Sequence, residues 1–135
     1  MTPVRRTGIQ KARITAGEPG VSVTIYHNPR CSKSRATLAL LEEKGIVPEI
    51  IEYLGTPPSK EEMNRILDGL DMAPRDLMRR KEQPYAALNL GDDSMSRDAL
   101  IDAILANPIL MERPVVVKGG KYALGRPPEN VLEIL

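Results

Sequence analysis

The feature that most constrains this chain is a β-branched apolar run that breaks through a short proline loop into a helical segment. Val21-Ser-Val-Thr-Ile-Tyr26 reads as a strand, and Ser34 to Lys44, with Leu38, Leu40 and Leu41, reads as a helix. Gly45 suits the left-handed C-terminal cap of that helix. Val47 to Leu54 follows as a second strand centred on Ile50, Ile51 and Tyr53. Strand, helix and strand in this order predict a right-handed crossover and a parallel pair, and so an α/β sheet.

The middle of the chain then changes character. Thr56-Pro-Pro-Ser59 breaks the pattern, and Ser59 with Glu62 forms a capping-box signature that predicts a helix from Lys60 to Leu70. A short helix is expected from Pro74 to Lys81, stopped by Pro84. Ser96 is a good N-cap for a helix over Arg97 to Ala106, and Asn107-Pro108 ends it. This gives an all-helical insertion of about 50 residues. Strand signals return in Pro114-Val-Val-Val117, turn at Gly119-Gly120, and continue over Lys121 to Leu124. Pro127 to Leu135 reads as a final helix entered through proline. The order fits a thioredoxin-like fold: a mixed four-stranded sheet flanked by helices.

Composition narrows the function. A chain of 135 residues builds one real core, and without Phe or Trp that core must be Leu, Ile, Val, Met and Ala. Nineteen basic residues against 18 acidic ones give no global electrostatic case for nucleic acid. One cysteine forms no internal disulfide, so the fold needs no oxidising compartment, and the expected location is the cytoplasm. One cysteine and one histidine fall short of a structural zinc site. No apolar run approaches the roughly 18 residues of a membrane span. Residues 1–20 carry Arg5, Arg6, Lys11 and Arg13 against Glu18, with little apolar pattern. They are read as a disordered or non-core extension, which leaves 21–135 as the folded domain.

The only cysteine, Cys31, stands at the strand-to-helix turn in Tyr26-His-Asn-Pro-Arg-Cys-Ser-Lys-Ser34. Backbone N–H groups and the helix dipole favour negative charge there. Such a position lowers a thiol pKa from about 8.5 to roughly 3.5–7.5, and the thiolate is the reactive form. A buried structural cysteine is the bland alternative, but Arg30, Lys33 and Arg35 around it argue for a reactive thiol. His27, four residues earlier, either stabilises a thiolate or is an ordinary strand-end histidine. Ser34 either donates to the sulfur or caps the helix. Arg113 before Pro114, and Arg126 between Gly125 and Pro127-Pro128, are each held at a strand end, while Arg79 lies in the basic cluster Arg79-Arg80-Lys81 of the middle helix. Arginine's rigid fork of donors suits tetrahedral oxyanions. Ser34 excludes a Cys-x-x-Cys dithiol, and Thr37 excludes the Cys-x5-Arg loop of cysteine phosphatases. Redox turnover would therefore need a second thiol from outside the chain.

These residues resemble a known family. Ile25-Tyr-His-Asn-Pro-Arg-Cys-Ser-Lys-Ser-Arg35 is similar to the signature of the ArsC family of glutaredoxin-dependent arsenate reductases. Tyr53-Leu-Gly-Thr-Pro-Pro58, Leu77 to Arg79, Asn107-Pro-Ile-Leu110, Glu112-Arg-Pro-Val-Val-Val117 and Gly125-Arg-Pro-Pro128 extend the likeness in the same order. The Arg-Cys-Ser-Lys-Ser form resembles the YfgD-like branch, because better-known arsenate reductases carry small residues beside the cysteine. The resemblance implies Cys31 as the nucleophile on arsenate and His27 as a support for its thiolate. It implies Arg79, Arg113 and Arg126 as oxyanion contacts and Pro114 as the family's proline near the thiol. It also implies glutathione as co-substrate and glutaredoxin as partner, with no bound cofactor. The composition adds the expectation of no metal, no nucleic acid and no membrane, and a monomer is expected because no segment reads as a long exposed interface helix. Another oxyanion as substrate is one competing expectation. The other is a protein-binding module like the Spx-type regulators, which share the fold but typically carry Cys-x-x-Cys.

Overall fold

The computed structural model describes residues 22–135, and the expected extension over residues 1–20 lies outside them. The sheet contains β1 (Val23–His27), β2 (Glu49–Glu52), β3 (Val115–Lys118) and β4 (Lys121–Leu124), in the spatial order β2-β1-β3-β4. It is mixed: β3 runs antiparallel to β1, and β4 antiparallel to β3. Helix α1 (Ser32–Glu43) connects β1 to its neighbour β2. The helix begins two residues before the predicted start because Cys31, with extended φ and ψ, is its N-cap residue. It ends at Gly45 as expected, with φ +79° and the Ile46 amide donating to the Leu41 carbonyl at 3.0 Å. Strand β2 is shorter than predicted, because the Gly55 and Thr56 amides both turn back to the Glu52 carbonyl at 3.1 Å.

The chain divides into two compact units, one running to Ile51 and resuming over Arg113–Leu135, the other Glu52–Glu112. In the first unit, Val23, Ile25 and Val116 of the sheet meet Leu41 of α1, Ile46, Ala123 and Val131 in one buried cluster. Each such aliphatic side chain contributes about 1.5–3 kcal/mol when fully buried. The C-terminal segment Pro128–Ile134 is a 3-10 helix where the sequence predicts an ordinary helix. It is entered through proline as expected, and Val131 seats it in the core.

The second unit contains α2 (Lys60–Leu70), α3 (Gln83–Ala87) and α4 (Arg97–Ala106). Helices α2 and α4 match their predicted bounds, since Ser59 Oγ accepts the Glu62 amide at 3.0 Å and Ser96 Oγ accepts the Ala99 amide at 3.1 Å. Met63, Ile66, Leu67, Leu100, Ile101 and Ile104 are buried between them and their neighbours. Two expectations fail here. The predicted helix Pro74–Lys81 is only a 3-10 turn, Pro74–Leu77, after which Met78 forms an isolated antiparallel bridge with Met111. Both methionines are buried, and that bridge pulls the backbone straight. Pro84 does not end a helix: it sits in the first turn of α3, where its missing N–H costs nothing.

Candidate active site

The site is assembled at the end of the first unit's sheet, where β1 stops and α1 begins. The loop is folded on itself by three hydrogen bonds. The Cys31 amide donates to the Asn28 carbonyl at 3.0 Å, the Arg30 amide to Asn28 Oδ1 at 2.9 Å, and Arg35 Nη1 to the Pro29 carbonyl at 3.0 Å. These bonds fix where the sulfur stands. Cys31 is 7% exposed, and no acidic residue occupies the first turn of α1.

Opposing effects set the thiol's acidity. Burial, the largest single influence, pushes its pKa up. The Ser34 amide, the Arg113 guanidinium, the Lys33 amide and the Arg126 guanidinium act the other way, in that order, and the net shift is downward. The backbone of the helix's first turn thus joins two guanidinium groups in favouring the thiolate.

Both arginines belong to one hairpin. Strands β3 and β4 pair Val115 with Leu124 and Lys118 with Lys121 around Gly119-Gly120, whose φ angles of +54° and +80° suit the tight turn. Arg113 and Arg126 lie just outside the two strands. Their legs are tied by the Gly125 amide donating to the Pro114 carbonyl at 2.9 Å and by Arg126 Nη1 donating to the Arg113 carbonyl at 3.3 Å. The Arg113–Pro114 and Arg126–Pro127 peptide bonds are both cis. Arg113 is 9% exposed, so its charge lies within the protein rather than in solvent.

His27 is buried at the end of β1, with Nδ1 2.6 Å from Ser34 Oγ. Ser34 neither caps α1 nor bonds to the sulfur through its hydroxyl. It is fully buried, and its Oγ also accepts the Asn28 amide at 3.0 Å. Arg79 lies in the second unit, outside any helix, where Nη1 meets Glu82 Oε2 at 2.8 Å and Nε stands 3.9 Å from Glu112 Oε1. Its amide donates to the Leu110 carbonyl at 2.6 Å. Arg80 is exposed, 3.8 Å from Asp76.

Sequence reasoning missed two supports of the site. One is the hydroxyl of Ser34, whose histidine partner is seven residues away. The other is Gly125, where a Cβ would stand 2.5 Å from Thr37 Oγ1 and 2.9 Å from Pro114 Cγ. The only available signal was a glycine at a strand end beside Arg126. Among the described residues no group of His, Cys, Asp and Glu could hold a metal, and no helix is long and apolar enough to cross a membrane.

A mixed four-stranded sheet with a cysteine at its first strand-to-helix turn places the chain in the thioredoxin-like class of folds. The ArsC family model matches residues 26–134, and the chain belongs to that family. It is 56% identical over 114 residues to the uncharacterized protein YfgD of Escherichia coli strain K12, an alignment spanning 84% of this chain and 96% of that one. It is 48% identical, over 84% of this chain and 97% of the other, to an arsenate reductase of Neisseria meningitidis serogroup A. The solved structure of an arsenate reductase from Vibrio cholerae superposes with a TM-score of 0.82 at 56% identity, covering 85% of this chain and 98% of that one.

Proposed function

We propose that this protein is an arsenate reductase in which Cys31 is the nucleophile. The observation that carries the reading is the acidified thiol: a largely buried sulfur whose pKa is lowered by helix amides together with Arg113 and Arg126. Groups that favour a thiolate also favour a tetrahedral oxyanion. Arginine forks at fixed separation serve that purpose better than lysine. Family membership and the names of the relatives support arsenate as the oxyanion.

In this reading Arg113 and Arg126 hold arsenate while the Cys31 thiolate attacks arsenic and displaces an oxygen as water, and Arg79 is the further arginine that the family resemblance assigns to the oxyanion. A glutathione thiol then attacks the thiol-linked adduct. Two electrons pass to arsenic, As(V) leaves as As(III) in arsenite, and the two sulfurs end joined as a Cys31–glutathione disulfide. The chain has no second cysteine to reduce that disulfide, so glutaredoxin takes up the glutathione and frees Cys31. His27 supports the thiolate through the packing of the loop. No resident metal or cofactor enters the scheme, and the reaction belongs to a reducing cytoplasm, with the protein acting as a monomer. Every residue named lies within the described residues 22–135.

The test is arsenate-dependent NADPH oxidation with glutathione, glutaredoxin and glutathione reductase. Wild type is expected to turn over only when all components are present, and Cys31→Ser, with an unchanged circular dichroism spectrum, is expected to be inactive. Retained activity in that variant removes Cys31 as the nucleophile. A folded, thiol-reactive wild type that leaves arsenate untouched transfers the site to another oxyanion.

A further inference from the structure

We propose that Ser34 is a positioning residue that holds His27 in its Nε2–H tautomer. Ser34 stands three residues after the nucleophile, where a dithiol would carry its second sulfur. Its hydroxyl instead joins three parts of the site: the end of β1 through His27, the loop through the Asn28 amide, and the first turn of α1 on which it rides.

The direction of the short bond follows from counting hydrogens. Ser34 Oγ accepts the Asn28 amide hydrogen at 3.0 Å. The hydroxyl carries one hydrogen, and Ser34 is 0% exposed, so that hydrogen has no solvent to bond with. Among the described residues, its available acceptor is His27 Nδ1, at 2.6 Å. A buried hydroxyl left without an acceptor is strongly disfavoured, so the O–H points at the ring. Nδ1 is then an acceptor, and the neutral imidazole must carry its proton on Nε2. The alternative, His27 donating from Nδ1, would give Oγ two donors and strand the hydroxyl hydrogen. The ring therefore serves the site as a neutral group with a fixed donor edge, a hydrogen-bond partner rather than a positive charge beside the thiolate.

The chain has one histidine, so the imidazole is observed without assignment. The first readout is the long-range proton–nitrogen-15 spectrum of the His27 ring at neutral pH, with no substrate present. Wild type and Ser34→Thr, which keeps a hydroxyl, are expected to show the Nε2–H tautomer. Ser34→Ala is expected to lose it for a tautomeric mixture. An Nδ1–H ring or an imidazolium in wild type overturns the proposal, as does a tautomer that Ser34→Ala leaves unchanged. Should the alanine variant fail to fold, the wild-type spectrum decides alone.

Only the catalytic consequence rests on the arsenate reading. In arsenate turnover, Ser34→Ala is expected to lower kcat between about 10- and 100-fold, as loss of an orienting partner typically does, with KM little changed. Ser34→Thr is expected to recover most of that loss. A lost tautomer with full kcat overturns the positioning role. A wild type that shows the tautomer but no turnover leaves the geometry standing and removes the substrate.

Discussion

Replacing Gly125 with alanine tests how the arginine hairpin is seated on α1. The added methyl would lie 2.5 Å from Thr37 Oγ1, 3.2 Å from Thr37 Cγ2 and 2.9 Å from Pro114 Cγ. Gly125 is not among the residues with positive φ, so the whole penalty is steric. The proline ring is rigid. Thr37 is fully buried and donates to the Lys33 carbonyl at 2.8 Å, so it cannot turn aside without losing that bond. Overpacking of a buried contact costs about 1–3 kcal/mol, and a lost hydrogen bond adds about 1. The expected destabilisation is therefore about 2–4 kcal/mol, which moves a urea midpoint down by about 1–2 M at a slope near 2 kcal/mol/M. Thr37→Ala removes both threonine atoms that the methyl meets. The double variant should therefore be less destabilised than the two single effects combined, with a coupling of about 1–2 kcal/mol. Urea titrations followed by far-ultraviolet circular dichroism on the four proteins give the cycle. A Gly125→Ala midpoint within about 0.3 M of wild type, or strict additivity with Thr37→Ala, refutes the close approach as the reason for this glycine.

The remaining predictions concern the thiol and its cations. Iodoacetamide alkylation of Cys31 as a function of pH should titrate below an ordinary cysteine, because helix amides and Arg113 with Arg126 outweigh burial. A thiol pKa lower in the folded than in the unfolded protein means stability gained from the thiolate above the unfolded value and lost as pH falls through the folded one. Cys31→Ser should therefore flatten that part of the stability–pH curve, and an alkylation midpoint at or above that of free cysteine contradicts the electrostatics. Arg113→Ala and Arg126→Ala should each raise that midpoint and weaken arsenate or sulfate binding by calorimetry, whereas Arg80→Ala, exposed and paired with Asp76, should do neither. Equal effects from all three would dissolve the case for a specific anion site.

Much of this was legible in the chain because local chemistry and tertiary structure agree. Ser59, Ser96 and Gly45 terminate helices where a capping rule says they should, and Gly119-Gly120 turns the hairpin as its conformational freedom requires. The misreadings arose where a residue has two uses. Pro84 can stop a helix or open one, and only the backbone of Glu82 and Gln83 decides. The stretch after Pro74 carries a helical pattern, yet pairing of Met78 with Met111, 33 positions apart, overrides it. Cys31, Arg113 and Arg126 could be picked out because proline, glycine and a strand end hold each of them. The Ser34 hydroxyl could not, since its partner depends on how β1 meets α1. Nor could the crowding at Gly125, which depends on what faces a glycine across the fold.

The two cations that act on Cys31 are carried by a single hairpin, 14 residues from Arg113 to Arg126, and this makes their separation a property of strand register. Each strand is four residues long, so about 13 Å of strand separates the turn from the charged end. A one-residue insertion at Gly119-Gly120 would slide β4 past β3 and reverse which of its faces looks inward. The error, made far from the sulfur, would arrive there undiminished, as at the jaws of tongs whose pivot has shifted. The glycine pair thus acts as the gauge of the spacing between the two guanidinium groups that act on Cys31.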